Sequence, residues 1–216
     1  MRILHIVATP RGEQSHTLRI AQEFIDAVVE GDSGVEVDVI DLYRHDLPAM
    51  AGDNIEAKYT LMVGRPIDRN HAESWREIES LIEHFTSADA YVITAPMWNF
   101  GIPYALKYYI DCVVQPGYLF RYDETGTPVP MVTGKKMVCV TSRGGDYSPG
   151  GYLHALDFQE PYLRTVFGFV GITDVAFVNA QPMDITPDLR EAALTAALAQ
   201  ARELGASFLP RADALV

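Results

Sequence analysis

Apolar residues in this chain follow two alternating rhythms. Five short runs are rich in apolar and β-branched residues: 2–9 (RILHIVAT), 35–40 (VEVDVI), 90–95 (AYVITA), 136–141 (KMVCVT) and 173–178 (TDVAFV). Continuous runs of this length predict strands buried on both faces of a parallel sheet, whereas the strict alternation in 35–40 predicts a strand nearer the sheet edge. Between the runs, apolar positions recur every three or four residues. Leu18, Ala21, Phe24, Ile25 and Val28 form one such helical stripe; Ile102, Leu106, Tyr109, Ile110 and Val113 form another. Ser15 is placed to cap the first helix, and Pro103 falls in the first turn of the helix that follows the third strand. Further helices are expected at 71–86, 157–169 and 187–208. The segment 43–69 is polar and punctuated by Pro48, Gly52, Gly64 and Pro66, and it fits either two short helices or one helix and a long loop.

A strand and a helix thus alternate five times. Parallel neighbours need a crossover, so the pattern predicts an α/β fold: a doubly wound five-stranded parallel sheet with helices on both faces, in one domain spanning 1–216. The strand order 2-1-3-4-5 fits five strands. Residues 117–122 and the turn 123–126 read as a hairpin excursion, near 117–131, rather than as a core strand.

Charge narrows the partners. A formal net charge of −12 over 216 residues excludes nucleic acid, which needs clustered Lys and Arg, and disfavours anionic membrane surfaces. It leaves room for a phosphorylated ligand, because backbone amides hold phosphate without basic side chains. No apolar run reaches membrane-spanning length, and the amino-terminal run is too short for a secretion signal. Cys112 and Cys139 lack the spacing of a zinc or redox pair and read as reduced core residues of a cytoplasmic protein. His5, His45, His71, His84 and His154 show no ligand-like spacing, so no metal is expected.

In a parallel sheet the loops after strands one, three and four emerge together at the carboxyl edge, where open α/β sheets bind ligands. The first loop offers the hydroxyls of Thr9, Ser15 and Thr17 at a helix N-terminus, a phosphate-binding arrangement, although Ser15 is equally well explained as a plain cap. The second, Pro96-Met97-Trp98-Asn99-Phe100-Gly101, carries ring faces and exposed amides suited to a flat conjugated ligand, against the ordinary expectation that aromatics at a strand exit are core. The third, Ser142-Arg143-Gly144-Gly145, is by itself an ordinary turn. The absence of G-x-G-x-x-G and of Gly-Lys-Ser/Thr in the first loop argues against a dinucleotide fold or a Walker loop and leaves a mononucleotide.

These blocks, together with Leu106-Lys107, Asp111, Phe120-Arg121-Tyr122, Thr133-Gly134-Lys135-Lys136, Pro161-Tyr162-Leu163 and Gly168–Thr173, resemble the FMN-dependent NADH:azoreductase family of flavodoxin-like quinone reductases. The resemblance runs from residue 2 to about residue 180. It implies a flavodoxin-like fold and tightly bound FMN. Thr9, Ser15, His16 and Thr17 would hold the phosphate, with the backbone N–H of His16 mattering more than its ring. Pro96, Met97, Trp98, Asn99 and Phe100 would run along the isoalloxazine, and Ser142, Arg143, Gly144 and Gly145 would bound its pyrimidine end. It also implies a ping-pong cycle in which NADH or NADPH gives a hydride to flavin N5 and a quinone or azo compound is then reduced. No catalytic side chain is expected, because the flavin carries the chemistry. The family acts as a homodimer, and Phe120, Tyr122 and Phe169 are the candidate walls of the substrate pocket. Two other readings stand beside this one. The acidic surface also suits a flavodoxin-type electron carrier without a substrate of its own, and a flavin-free scaffold is the third.

Overall fold

The computed structural model describes residues 1–209. Five parallel strands, β1 (Arg2–Val7), β2 (Glu36–Asp41), β3 (Ala90–Thr94), β6 (Lys136–Ser142) and β7 (Asp174–Ala180), form one sheet in the order β2-β1-β3-β6-β7. With the separate antiparallel pair β4 (Phe120–Tyr122) and β5 (Pro128–Pro130) set aside, this is the order 2-1-3-4-5 expected from the alternation. The most apolar strands are the central ones: every residue of β3 is buried, and β2, with its alternating sequence, sits at the edge.

The helices cover both faces. On one, α1 (His16–Gly31) and α6 (Pro187–Ala206) pack Ile20, Phe24, Val28, Ala197 and Ala201 against Ile3, Val92, Val138 and Val178. Gly205 permits this approach, since a Cβ there would lie 2.5 Å from the Phe24 carbonyl oxygen. On the other face, α2 (Asp53–Met62), α3 (Ala72–Thr86), α4 (Tyr104–Val113) and α5 (Glu160–Val170) bury Trp75, Phe85, Tyr91, Tyr109 and Phe167. Phe85 stacks on Tyr91 at 4.4 Å. The ambiguous segment 43–69 resolves into the single helix α2 with irregular chain on either side.

Boundaries shift where local chemistry intervenes. Pro103 is the cap of α4 rather than part of its first turn, because its extended backbone (φ −58°, ψ 146°) precedes the helical residues. The helix expected from 157 begins at Glu160, and residues 157–159 become its entry. There Asp157 Oδ1 accepts the backbone N–H groups of Gln159 and Glu160 at 2.9 and 3.0 Å, satisfying donors that a helix start leaves unpaired.

One buried polar group couples the sheet to pH. His5, in the middle of β1, is almost fully enclosed and places Nε2 2.7 Å from Thr94 Oγ1 on β3. Burial lowers its pKa to about 4, whereas an unfolded histidine titrates near 6.5. As pH falls below 6.5 the unfolded chain takes the proton first, so folding weakens progressively down to about pH 4, by about 3 kcal/mol at the limit. Urea midpoints measured between pH 7 and pH 4.5 are therefore expected to fall more steeply for the natural chain than for His5→Gln, which keeps a hydrogen bond to Thr94 without titrating; equal slopes would remove His5 as the cause.

Candidate functional site at the carboxyl edge

From β1 the chain crosses toward β2, and from β3 it crosses the opposite way toward β6. The loops leaving β1 and β3 therefore diverge, and the crevice between them is where open α/β sheets hold ligands. A cleft of about 330 Å³ lies there. Thr9, Ser15, His16 and Thr17 line it from the first loop, Pro96, Met97 and Trp98 from the second, and Ser142, Arg143 and Gly144 from the third. The three loops singled out in the sequence thus converge on one space.

The first loop makes an anion site. Ser15 caps α1, its Oγ accepting the Leu18 N–H at 3.3 Å and lying 2.8 Å from Thr17 Oγ1. The Arg19 N–H goes to the Ser15 carbonyl at 3.1 Å. Of the four amides that open the helix, those of His16 and Thr17 remain without intrahelical partners, and the helix dipole adds positive potential where they point. Arg11 and Arg190 also line this end of the cleft. Partial burial, and then the charges of Arg11, Arg190 and Arg19, hold the His16 pKa below its ordinary value, against the opposing pull of Asp184. In a chain of net charge −12, this pocket is locally cationic.

The second loop is a tight, strained turn. Trp98 and Gly101 exchange both backbone hydrogen bonds at 3.0 Å, and the two residues between them, Asn99 and Phe100, have φ of 47° and 70°. That pattern is a type I′ turn, in which Asn suits the left-handed conformation and Phe is strained by about 1–2 kcal/mol. The Met97 N–H is also committed, to the Ser142 carbonyl at 2.9 Å. Of the amides between Met97 and Phe100, those of Asn99 and Phe100 have no partner among the described residues. Their side chains form the turn's exposed tip, beyond the walls lined by Met97 and Trp98.

The third loop divides its work. Gly144 lines the cleft, and a Cβ there would meet Asp184 Oδ2 at 2.9 Å; at Gly145 one would meet Leu153 Cδ1 at 2.3 Å, so the chain from 146 to 153 can lie close above it. The Arg143 side chain is buried. Its Nη1 donates to Asp157 Oδ2 at 2.9 Å, its Nε to Thr141 Oγ1 at 3.1 Å, and its Nη2 lies 3.7 Å from Glu160. The guanidinium ties β6 to the entry of α5.

Phe120, Tyr122 and Phe169 do not reach this cleft within one chain. Phe120 packs edge-on to Tyr122 at 5.6 Å and to Phe169 at 4.7 Å. The cluster stands beside the last turn of α5, toward the amino edge of the sheet, because α5 runs from the end of β6 back to the start of β7.

Arg11, Met183, Asp184 and Arg190 were not anticipated in the sequence. Arg190 Nε donates to the Met183 carbonyl at 2.6 Å, and its Nη2 lies 3.5 Å from Asp184, which holds the guanidinium over the cleft. Arg11 stood in plain view within the first loop. The other three lie between β7 and the first turn of α6, and only the folding of that segment past Gly144 brings them in.

Comparison with known proteins places this arrangement. Residues 1–204 match the family model described as flavodoxin-like fold. An FMN-dependent NADH:quinone oxidoreductase of Nitratidesulfovibrio vulgaris (strain Hildenborough) is 39% identical over 207 residues, covering 95% of this chain and 99% of its own. One from Ruegeria pomeroyi is 39% identical over 202 residues, covering 91% and 99%. Among solved structures, an azoreductase from Bacillus anthracis (Sterne) superposes with a TM-score of 0.86 at 28% identity, covering 96% of this chain and 100% of the other. An FMN-dependent NADH-azoreductase from Bacillus anthracis (Ames Ancestor), solved in complex with FMN, gives 0.80 at 26% identity, covering 94% and 99%.

The buried Arg143–Asp157 pair yields a stability prediction. Asp157→Ala strands a guanidinium in the interior and removes the cap of α5, and is expected to cost about 3–5 kcal/mol in denaturant unfolding. The double replacement Arg143→Met with Asp157→Leu, which removes both charges of the pair and leaves Glu160 with Arg164 and Asn179, is expected to cost less than Asp157→Ala alone; a larger cost would show that the charges are not what matters.

Proposed function

The chain belongs to the flavodoxin-like fold family and, within it, to the FMN-dependent NADH:quinone oxidoreductases, a family of enzymes; from that premise we propose that it reduces quinones and azo compounds with NADH by a two-electron ping-pong exchange at one cleft. The observation that carries the reading is a single crevice with an anion-binding end and an apolar wall. His16 and Thr17 present amides at a helix N-terminus beside Arg11 and Arg190, and Met97 and Trp98 line the wall at the base of a strained turn whose tip, Asn99 and Phe100, lies beyond it. A phosphorylated, flat, conjugated cofactor matches both, and about 330 Å³ lies within the range of small-molecule sites.

FMN, when bound, supplies the two-electron chemistry, taking a hydride from NADH and giving it to the acceptor in alternation. The chain's own residues do the rest. The amides of His16 and Thr17, the hydroxyls of Ser15 and Thr17 and the arginines hold the phosphate. Were the flavin edge to extend over the tip of the turn, the Asn99 and Phe100 amides would offer it fixed dipoles where negative charge develops. Met97 and Trp98 provide one wall, and Gly144 lets backbone approach the far end. In this reading the protein is a homodimer. The cluster of Phe120, Tyr122 and Phe169, remote from the cleft of its own chain, covers the cleft of the partner and completes the acceptor pocket.

The purified protein is expected to be yellow, to bleach on anaerobic addition of NADH, to recover its colour with benzoquinone, and to sediment as a dimer. Bound flavin that NADH fails to bleach would return the electron-carrier reading, and a colourless protein that takes up no FMN would sink both.

The phosphate end carries a second prediction. A bound phosphate dianion opposes the arginine charges and raises the His16 pKa, so the complex holds more proton than the free chain. FMN affinity is then expected to rise as pH falls through the range where His16 takes up its proton, more for the natural chain than for His16→Asn, where only the phosphate itself titrates. Arg190→Ala is expected to weaken FMN by about tenfold, or about 1.4 kcal/mol, and to flatten the salt dependence of binding. Fluorescence titration of FMN across pH and salt reads both effects; an unchanged slope in either variant removes that residue from the site.

A further inference from the structure

The strained turn at the cleft is held from outside its own loop. Gln159, fully buried at the entry of α5, donates its carboxamide Nε2 to two carbonyls at once, Ala95 at 3.2 Å and Pro96 at 3.1 Å. These carbonyls leave the end of β3 just where the chain turns out of the sheet. The preceding residue, Phe158, donates its backbone N–H to the Phe100 carbonyl at 3.0 Å. One segment therefore grips the turn at its base and at its tip.

That segment is itself fixed. Asp157 caps the amides of Gln159 and Glu160 with one carboxylate oxygen and receives Arg143 with the other. The chain of contacts runs from the exit of β6, through Arg143 and Asp157, to the exit of β3. With the Met97 N–H held by Ser142 and Trp98 paired to Gly101, the grip leaves few polar groups of the loop uncommitted. Residues with positive φ outside glycine persist only where their surroundings over-determine them. Phe100 is such a residue, and Gln159 and Phe158 supply the surroundings.

We propose that the entry of α5 is a positioning clamp: the Gln159 carboxamide and the Phe158 amide hold the 96–101 turn in the strained shape that leaves the Asn99 and Phe100 amides free and fixed for the cofactor. Gln159 and the Phe158 amide are positioning groups, acting through the turn rather than touching the ligand. The buried Gln159 Oε1, which has no hydrogen-bond partner among the described residues, fits this role: the side chain is placed for what its donor reaches, and its acceptor is left over. The role toward FMN rests on the function proposed above; the grip on the turn does not.

Two variants separate the clamp from general packing. Gln159→Met keeps the shape and removes both hydrogen bonds. Phe158→Pro removes the amide, and the extended backbone of Asp157 (φ −76°, ψ 100°) is the conformation a residue before proline adopts. Phe158→Ala is the control, losing the ring and keeping the amide. The first measurement is hydrogen exchange of the Trp98 and Gly101 amides in the FMN-free chain, which reports opening of the turn. It is expected to quicken at least tenfold in Gln159→Met and Phe158→Pro, and not in Phe158→Ala, while exchange in β1 and α1 stays put. The second is the two-electron midpoint potential of bound FMN, expected to fall in the same two variants. Each tenfold by which reduced FMN loses more affinity than oxidised FMN lowers it by about 30 mV. Unchanged exchange at Trp98 and Gly101 overturns the clamp, as does faster exchange spread evenly over the whole chain. If the natural chain takes up no FMN, the functional reading falls, and the exchange experiment still decides the clamp.

Discussion

A strand that leaves a parallel sheet carries its last carbonyls beyond the ladder, and the protein must find them partners. That constraint shapes the carboxyl edge of this molecule. Thr94 still serves the β1 side, accepting the Ala8 N–H at 2.8 Å, and the Ala95 N–H still reaches the Val140 carbonyl at 3.0 Å, but the carbonyls of Ala95 and Pro96 take no backbone amide among the described residues. Gln159, reaching in from the start of α5, satisfies both. The loop that follows can then fold into a turn with two residues at positive φ without leaving buried polar groups at its base. An unpaired buried carbonyl costs about 1–3 kcal/mol, comparable to the strain of the turn itself, so the two features are tolerable only together.

The same edge shows where the protein leaves groups unpaired. His16 and Thr17 keep free amides because Ser15 satisfies only the next two residues of α1. Asn99 and Phe100 keep theirs because the turn spends its hydrogen bonds between Trp98 and Gly101. The first set lies on the crevice and the second at the tip of the loop that walls it, because the crossovers from β1 and β3 run in opposite directions. The proposed cofactor site is a set of places where the fold does not complete its own hydrogen bonding, arranged around a cationic patch on an otherwise acidic chain.

Helix α5 joins the two halves of this arrangement. Its entry carries Asp157, Phe158 and Gln159 toward the carboxyl edge, and its last turn carries Phe169 against Phe120 of the hairpin at the other. One eleven-residue helix thus supports, at its start, the turn proposed to face the flavin and, in the proposed dimer, the wall of the neighbouring cleft at its end. A change in how α5 seats on the sheet would reach both features.

The sequence by itself determined the five-stranded parallel sheet and the edge at which a ligand would lie. Those features depend on local periodicity and on the rule that parallel strands need crossovers, both of which are written in consecutive residues; the order 2-1-3-4-5 fitted that alternation, and the tertiary structure decided it. It also pointed to the three loops, because hydroxyls, glycines and aromatics at strand exits stand out in a short window. Only the tertiary structure decided that the Arg143 guanidinium turns inward to Asp157, that Arg190 and Asp184 join the cleft from α6 and the segment before it, and that Phe120, Tyr122 and Phe169 gather away from it. It alone showed that Gln159 holds the base of a turn more than sixty residues earlier in the chain. Each of these depends on which way a long polar side chain points, or on which helix end meets which sheet edge. No periodicity encodes such contacts, because they are set by the nearest unsatisfied partner in space rather than along the chain.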